Sequence, residues 1–517
     1  MESQKISAYS ELEMTQEMPR TLIIRFVGNA DEIAPLFLSF DELLFGFAIV
    51  TLSPQMLQTV LTHPQIVYVE APKQFAPQLA SGKQESCILP LTRSGLSGAG
   101  VICAVIDTGI DYRNPEFIRP DKSSRIVAIY DDATREFYTR KTINSALAGE
   151  TALPSVASSP HGTYVATIMA GNSGVAYESD LLILKLQNEG DDYSTTTSLM
   201  RCFTYAVKTA EALGKPLCIN LSYGTNNGSH MGDSLIEQYI NMLTTYGQTS
   251  IIVGSGNDGA GQHCAQGSLT RVSPNNTVAF STGQSTGTFY LLVYTLASDS
   301  ISVSLAPPST DYEVKTAVSG PSPYSLYREH AFLITQTDRI GGIWTVTLSG
   351  AQEPFTDSFY RMYLSVPADF DARFFTPSQQ GTFTIPSTAS DVISVGAYNA
   401  VFDAYAPFSG RGFVSYLDTE NGRQPLAVKP ELVAPGVSVR LPDGTIVNGT
   451  SFAAPFVSGT AALMMQWGIV LGNDPTMYGL TVKSNMIKGA RPLRGELLRP
   501  NDRTGYGALC AENSLPI

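Results

Sequence analysis

The sequence predicts an α/β fold: a doubly wound, mostly parallel sheet with an N-terminal α+β domain and an inserted β-sandwich. Three observations predict it. Between residues 100 and 255, short continuous apolar runs alternate with helix-like stretches, as strands buried on both faces of a parallel sheet do. Residues 21–70 read as strands around one short helix. Residues 268–380 lose helical periodicity and break into short Val/Thr/Ser/Tyr/Phe runs punctuated by Gly, Pro and Asn, the pattern of a sandwich.

The elements follow in order. Leu22–Phe26, Gly46–Leu52 and Val67–Glu70 read as strands. Ser53 and Pro54 open a helix to Thr62, the serine as N-cap and the proline at the first helical position. Residues 74–97 are rich in Gln, Ser and Gly and read as a linker. Val101–Ile106, Leu181–Leu184, Leu217–Leu221 and Ser250–Val253 are buried strands, and Thr196–Leu213 is a helix. In the inserted segment Phe289–Tyr294, Ser302–Leu305 and Ile343–Leu348 are strands. The α/β pattern resumes at Val392–Gly396. The domains expected are a tail (1–20), an N-terminal domain (21–73), a linker (74–97), the first part of the α/β domain (98–267), the insert (268–380) and the second part (381–517).

Composition narrows the function. The 517 residues are 43% hydrophobic and 15% charged, which excludes a disordered chain and supports a large core. The net charge of −13 argues against nucleic acid as a partner, since a basic face would be needed. No apolar run approaches the length of a membrane span, so no membrane partner is expected. The first residues hold no apolar leader segment, so no secretory signal is expected and the chain reads as cytoplasmic. The six cysteines, at 87, 103, 202, 218, 264 and 510, show no paired spacing. A disulfide framework is not expected and a reducing compartment is. No dense carboxylate loop suggests a metal, and no cofactor is expected. The histidines His63, His230 and His330 read as surface or loop residues.

Four short segments carry chemistry. Val105-Ile106-Asp107-Thr108-Gly109 ends a strand in an acid. Pro160-His161-Gly162-Thr163 opens a helix with a histidine. Asn448-Gly449-Thr450-Ser451-Phe452-Ala453-Ala454-Pro455 opens an Ala-rich helix with a serine. Val253-Gly254-Ser255-Gly256-Asn257 sets a side-chain amide after a buried strand. Taken singly, Asp107 would read as a turn residue and Ser451 as a helix cap. Taken together they form a machine for acyl transfer. A serine hydroxyl needs a base to take its proton. A neutral histidine is such a base, and an acid fixes its tautomer and orientation. An amide can donate to the oxyanion of the intermediate.

The order Asp107, His161, Ser451, with Asn257 before the serine, resembles the subtilisin-like serine proteases (subtilases). In that family about 90 residues separate base and oxyanion amide, and about 65 separate amide and nucleophile. Here 96 residues separate His161 from Asn257, and 194 separate Asn257 from Ser451. The surplus falls where the β-rich segment sits. The resemblance implies a serine endopeptidase with Asp107, His161 and Ser451 as triad and Asn257 at the oxyanion. It implies that Ser222, Tyr223 and Gly224 pair with substrate backbone, facing a wall of Gly254, Ser255 and Gly256. It implies a protein substrate and an inhibitory prodomain over residues 21–73, whose tail lies in the cleft and is cut between residues 74 and 86. The run Gly256-Asn257-Asp258-Gly259 with His263, the missing leader and the insert are similar to the Csp germination proteases of clostridia. That similarity implies a jelly-roll insert, a spore-associated location and the precursor of a spore cortex hydrolase as substrate. Some members of that group are pseudoproteases acting as germinant sensors. They lack triad residues, which all stand here. Pro160, Tyr164, Tyr223, Gly410 and Phe452 depart from the family's usual residues.

Overall fold

The computed structural model describes residues 5–6, 20–72, 74–77, 85–154, 157–186, 194–309, 312–320, 325–337, 340–350, 358–367, 370–419 and 422–515. The acidic stretch 11–17 and positions 78–84 of the expected cleavage segment lie outside them. The chain forms two compact units. One holds residues 75–224, 237–260 and 386–517; the other holds 1–74, 225–236 and 261–385.

The first unit is built on a nine-stranded sheet. Its order is Ala404–Tyr405, Ile393–Asn399, Thr249–Gly254, Leu217–Leu221, Ile102–Asp107, Asp180–Lys185, Ile126–Asp131 and Glu136–Thr139, with Leu432–Pro435 also paired to Ile393–Asn399. The inner strands are parallel, and the short outer strands Ala404–Tyr405 and Glu136–Thr139 run antiparallel. Ile102–Asp107 and Leu217–Leu221 are buried at every position, which is why they read as unbroken apolar runs. The predicted helix appears as Thr196–Leu213, closed by Gly214 in the left-handed conformation (φ 60°).

Two further helices cover the sheet: His161–Ala170 and Thr450–Met465. Every residue of Thr450–Met465 is buried. Together with the turn to Val470 it is apolar enough to cross a bilayer, but 83% of its apolar 18-residue window is buried inside the fold. Its hydrophobic surface is thus that of a core helix. Gly459 lets it approach: a Cβ there would lie 2.5 Å from Val175 Cβ and 2.8 Å from the Met169 carbonyl oxygen.

Two sequence expectations are corrected here. Cys87 and Cys510 form a disulfide with Cα atoms 4.7 Å apart. Their separation of 423 residues leaves no spacing signal, so sequence reading could not pair them. Cys103, Cys202, Cys218 and Cys264 remain buried thiols. The linker also holds structure, a strand Gln74–Pro77 and a helix Leu89–Arg93. The helix buries Leu91.

The second unit contains two β assemblies. The N-terminal one is a four-stranded sheet in the order Ser39–Glu42, Phe47–Leu52, Arg20–Phe26, Ile66–Glu70, antiparallel throughout. Its core gathers Leu22, Ile24, Ala48, Val50, Val60 and Val69. Ser39–Glu42 has no buried residue and so gave no apolar signal. The helix expected from Ser53 is a 3₁₀ turn, Pro54–Met56, followed by Leu57–Thr62.

The inserted segment makes one antiparallel sheet in the order Cys264–Leu269, Ser358–Ser365, Gly287–Leu296, Tyr327–Gln336, Glu313–Val318. A second has the order Ile301–Ala306, Gly342–Gly350, Asn275–Thr282, Ala372–Phe374. Phe280 and Trp344 of one sheet share a single core with Phe289, Leu291 and Met362 of the other. Alternate residues of Gly342–Gly350 are buried, as a one-faced strand requires. His330 is not at the surface but buried in Tyr327–Gln336, with 4% of its area exposed. His230 lies in a loop, as expected, yet is also buried, stacked on Tyr363 with ring centroids 3.7 Å apart.

Candidate active site

Asp107 is the last residue of the central strand Ile102–Asp107, at the carboxyl end of the sheet, where open α/β sheets place ligand chemistry. Its Oδ1 lies 2.6 Å from Nδ1 of His161. The same oxygen accepts from the Thr108 backbone N–H at 2.7 Å and from Thr108 Oγ1 at 3.2 Å. Asp107 and His161 are 1% and 3% exposed, so water competes little for this pair. A carboxylate on Nδ1 leaves Nε2 as the ring nitrogen that can take a proton.

His161 is the first residue of its helix, after Pro160. Gly162 permits the approach to the acid. A Cβ at residue 162 would stand 2.1 Å from the Gly109 carbonyl oxygen and 3.1 Å from Asp107 Oδ1. The Gly162 N–H donates to Thr108 Oγ1 at 3.1 Å, so one threonine ties both acid and helix. The imidazole packs between two aromatic rings. Phe452 lies 5.1 Å away, and Tyr223 stands perpendicular to it at 6.2 Å. Both are positions where the sequence departs from the family's usual residues.

Ser451 is the second residue of the helix Thr450–Met465 and is fully buried. Its neighbour in sequence, Phe452, is the ring against His161. Ser451 Oγ donates to the Ser222 carbonyl oxygen at 3.3 Å, and Ser222 Oγ donates to the Ser451 carbonyl oxygen at 2.8 Å. The second bond has a cause in the sequence. Pro455, four residues on, lacks the N–H that would otherwise take the Ser451 carbonyl.

Asn257 follows the strand Thr249–Gly254. Its Oδ1 accepts from the Thr450 N–H at 2.8 Å and from Thr450 Oγ1 at 3.3 Å. With that arm of the amide held, its NH₂ group is the arm left to donate. Thr450 Oγ1 in turn accepts from the Gly256 N–H at 3.1 Å, and Gly256 has φ +99°, a conformation that favours glycine. Ser451 N–H lies in the first helical turn, where backbone donors have no helical partner. The Asn257 NH₂ group and this N–H are donors of the kind that an oxyanion site uses.

The proposed substrate wall is already occupied. Gln74–Pro77 lies as the middle strand between Ser194–Thr195 and Tyr223–Gly224. It runs antiparallel to the latter, with Ala76 opposite Gly224 and Pro77 opposite Tyr223. Gly254, Ser255 and Gly256 are buried at the end of the neighbouring strand Thr249–Gly254. Ser255 N–H donates to the Val395 carbonyl at 2.9 Å.

Sequence reading missed Asn220, Ser458, Thr108 and Thr450. Asn220 Nδ2 donates to Ser222 Oγ at 2.9 Å, and its Oδ1 accepts from Ser458 Oγ at 2.9 Å. The signal was present for Asn220, a lone amide inside the apolar run Leu217–Leu221. The described residues include no cluster of three or more His, Cys, Asp or Glu able to hold a metal.

The chain is similar to known proteins. The subtilase family, Peptidase_S8, matches residues 98–329 and 365–507, and the Csp protease B prodomain matches residues 1–73. The solved structure of the Clostridium perfringens CspB protease is 31% identical, with a TM-score of 0.74. The match covers 83% of this chain and 95% of that one. Serine protease AprX of Bacillus subtilis is 31% identical over 159 residues, 26% of this chain and 32% of that protein. The PII-type proteinase of Lacticaseibacillus paracasei is 23% identical over 445 residues, 71% of this chain. The chain spans about a fifth of that proteinase and about a third of AprX.

Proposed function

The chain belongs to the subtilase family of serine proteases, and from that premise we propose that it is an active endopeptidase that cuts its own chain behind the N-terminal domain. The observation that carries this reading is the 2.6 Å contact between Asp107 and His161. Ser451 Oγ attacks the scissile carbonyl carbon while His161 Nε2 takes the hydroxyl proton. The carbonyl oxygen becomes an oxyanion held by the Asn257 amide and the Ser451 N–H. Collapse breaks the C–N bond, and the imidazolium returns its proton to the leaving amine. Water then repeats the sequence on the acyl-enzyme and restores Ser451. Asp107 keeps Nδ1 protonated and stabilises the imidazolium throughout.

The N-terminal domain acts as a prodomain, and its tail is the first substrate. Gln74–Pro77, paired with Tyr223–Gly224, supports this. The insert is a jelly roll. Its first strand pairs with the eighth (Cys264–Leu269 with Ser358–Ser365), the second with the seventh and the third with the sixth, which is the wrapping of a rolled-up sheet. The likeness to CspB extends the proposal to a spore-associated role on the precursor of a cortex hydrolase. The test is intact mass of the purified chain beside Ser451→Ala. Processing in the wild type alone supports the reading. Two intact chains, or two processed ones, reject it.

A further inference from the structure

We infer that Arg125 is a positioning residue for the base: its guanidinium holds the far end of the His161 helix and so sets the seat of the imidazole against Asp107. The inference deepens the endopeptidase reading and, for its rate measurement, rests on it.

The carbonyls at the end of His161–Ala170 lead to it. The last four carbonyls of a helix have no partner inside it. Here three are taken by backbone: Thr167 by the Gly171 N–H at 3.0 Å, Ile168 by the Val175 N–H at 3.0 Å and Met169 by the Ala176 N–H at 2.9 Å. The fourth, Ala170, accepts from Arg125 Nη1. The same guanidinium reaches three more oxygens. Nη2 donates to the Ser179 carbonyl at 2.7 Å and to the Ala176 carbonyl at 3.3 Å, and Nη1 donates to Asn172 Oδ1 at 3.4 Å. Arg125 is 3% exposed, and these partners are all neutral oxygens. A buried cation is costly unless polar groups replace its water. Converging oxygens do so here, in the way a protein cages a metal ion. Burial pulls the Arg125 pKa from 12.5 down to about 10, so the group is charged at neutral pH.

Position gives this cation its task. Arg125 directly precedes the strand Ile126–Asp131, and its own carbonyl accepts from the Leu181 N–H at 3.1 Å. Its backbone is therefore fixed to the parallel sheet, while its fork grips the chain at Ala170 and again at Ser179. A cation at a helix carboxyl end also meets the negative pole of the helix dipole. The opposite end is pinned by the Gly162 N–H on Thr108 Oγ1 at 3.1 Å. The ten-residue helix is about 15 Å long, and a close-packed interior transmits displacement instead of absorbing it. Without the Arg125 grip the helix is free to slide or tilt, carrying with it the 2.6 Å contact between His161 and Asp107. A lysine keeps the charge but lacks the planar fork that reaches separate carbonyls from two nitrogens.

The closing experiment compares Arg125→Lys, Asn172→Ala and Asn172→Asp with the unaltered full chain. In a Ser451→Ala background, proton NMR follows the low-field signal of the His161 Nδ1 proton shared with Asp107, identified by its absence from His161→Ala. With Ser451 in place, intact mass follows self-processing. Arg125→Lys is expected to stay folded by circular dichroism, to lose or shift the low-field signal, and to process at least tenfold more slowly. Both Asn172 variants give up the amide that donates to the Pro115 and Ile118 carbonyls at 2.8 Å, but Asn172→Asp keeps an oxygen for Arg125. It is expected to process at least threefold faster than Asn172→Ala. Asn172 is exposed, so this pair decides the matter should Arg125→Lys not fold. A folded Arg125→Lys with signal and rate unchanged overturns the inference, as does an Asn172 pair with equal or reversed rates. If the unaltered chain never cuts, the endopeptidase reading falls and the signal alone decides: moved in Arg125→Lys, it supports the positioning role; unmoved, it overturns it.

Discussion

Ser222 and Ser451 are tied by two reciprocal hydrogen bonds, each side-chain hydroxyl donating to the other residue's carbonyl oxygen, at 2.8 Å and 3.3 Å. Ser222 therefore has two tasks. Its Oγ satisfies the carbonyl that Pro455 leaves unbonded, and its carbonyl accepts from the Ser451 hydroxyl. Asn220 fixes the Ser222 hydroxyl at 2.9 Å and is itself fixed by Ser458 at 2.9 Å. Ser451 is thus braced from the interior of the sheet.

Ser222→Ala removes the donor to the Ser451 carbonyl and leaves that buried oxygen unpaired. The cost of such an orphan is about 1–3 kcal/mol. Urea unfolding should show a loss of this size, and self-processing should slow by about tenfold. Unchanged stability would mean that another donor takes the Ser451 carbonyl.

Thr450 aims the oxyanion amide. It holds Asn257 Oδ1 through its N–H and its hydroxyl. Asn257→Ala should slow self-processing by about 100- to 1,000-fold, the usual cost of losing one oxyanion donor. Thr450→Val keeps the N–H bond but loses the hydroxyl, and should fall between that variant and wild type. Thr450→Ser, which restores a hydroxyl, should recover the rate. Rates read from time courses of intact mass decide this, and a Thr450→Ser variant as slow as Thr450→Val would assign the effect to packing instead.

The residues of the candidate site were nameable from the sequence because each stands in a short local segment with its own signal. Asp107 ends an apolar run, His161 and Ser451 open helices, and Asn257 follows a strand. The supporting bonds were not legible because they join distant segments, as Asn220 joins Ser458. The same reason hid the disulfide between Cys87 and Cys510. The fold was readable where burial is two-sided, as in Leu217–Leu221, or alternating, as in Gly342–Gly350. It was not readable at Ser39–Glu42, where no residue is buried and the strand exists only through pairing with Phe47–Leu52.

Gly162 is the tightest steric point of the triad. A methyl group there would stand 2.1 Å from the Gly109 carbonyl oxygen, well inside contact distance, and backbone cannot yield as a flexible side chain can. Gly162→Ala should push the His161 helix away from Asp107. Displacements near 1 Å cost about a hundredfold in rate, so self-processing should fall at least that far. Intact mass measures the processing, and thermal unfolding should show a lower midpoint. A variant that processes normally would mean that the Thr108–Gly109 turn can move without disturbing the acid.

His330 sets an acid limit on the insert. Burial, with the Arg328 charge as a smaller cause, pulls its pKa from an ordinary 6.5 down to about 4. It lies in Tyr327–Gln336, opposite Val293 on one side and Val318 on the other. Its Nε2 is buried with no hydrogen-bond partner among the described residues, so nothing there welcomes a second proton. The folded state therefore binds fewer protons than the unfolded chain between pH 6.5 and pH 4. Stability rises with pH wherever the unfolded state holds more protons. The loss thus develops as pH falls from 6.5 toward 4 and stops growing below 4, where both states are charged. A depression of this size corresponds to about 3 kcal/mol. Urea unfolding of the Ser451→Ala chain, which cannot process itself, should lose stability across that window. The same chain with His330→Leu should lose about 3 kcal/mol less over the interval when both curves are referred to pH 7.5. Parallel curves would show that His330 titrates alike in both states and that the acid limit lies in the carboxylates.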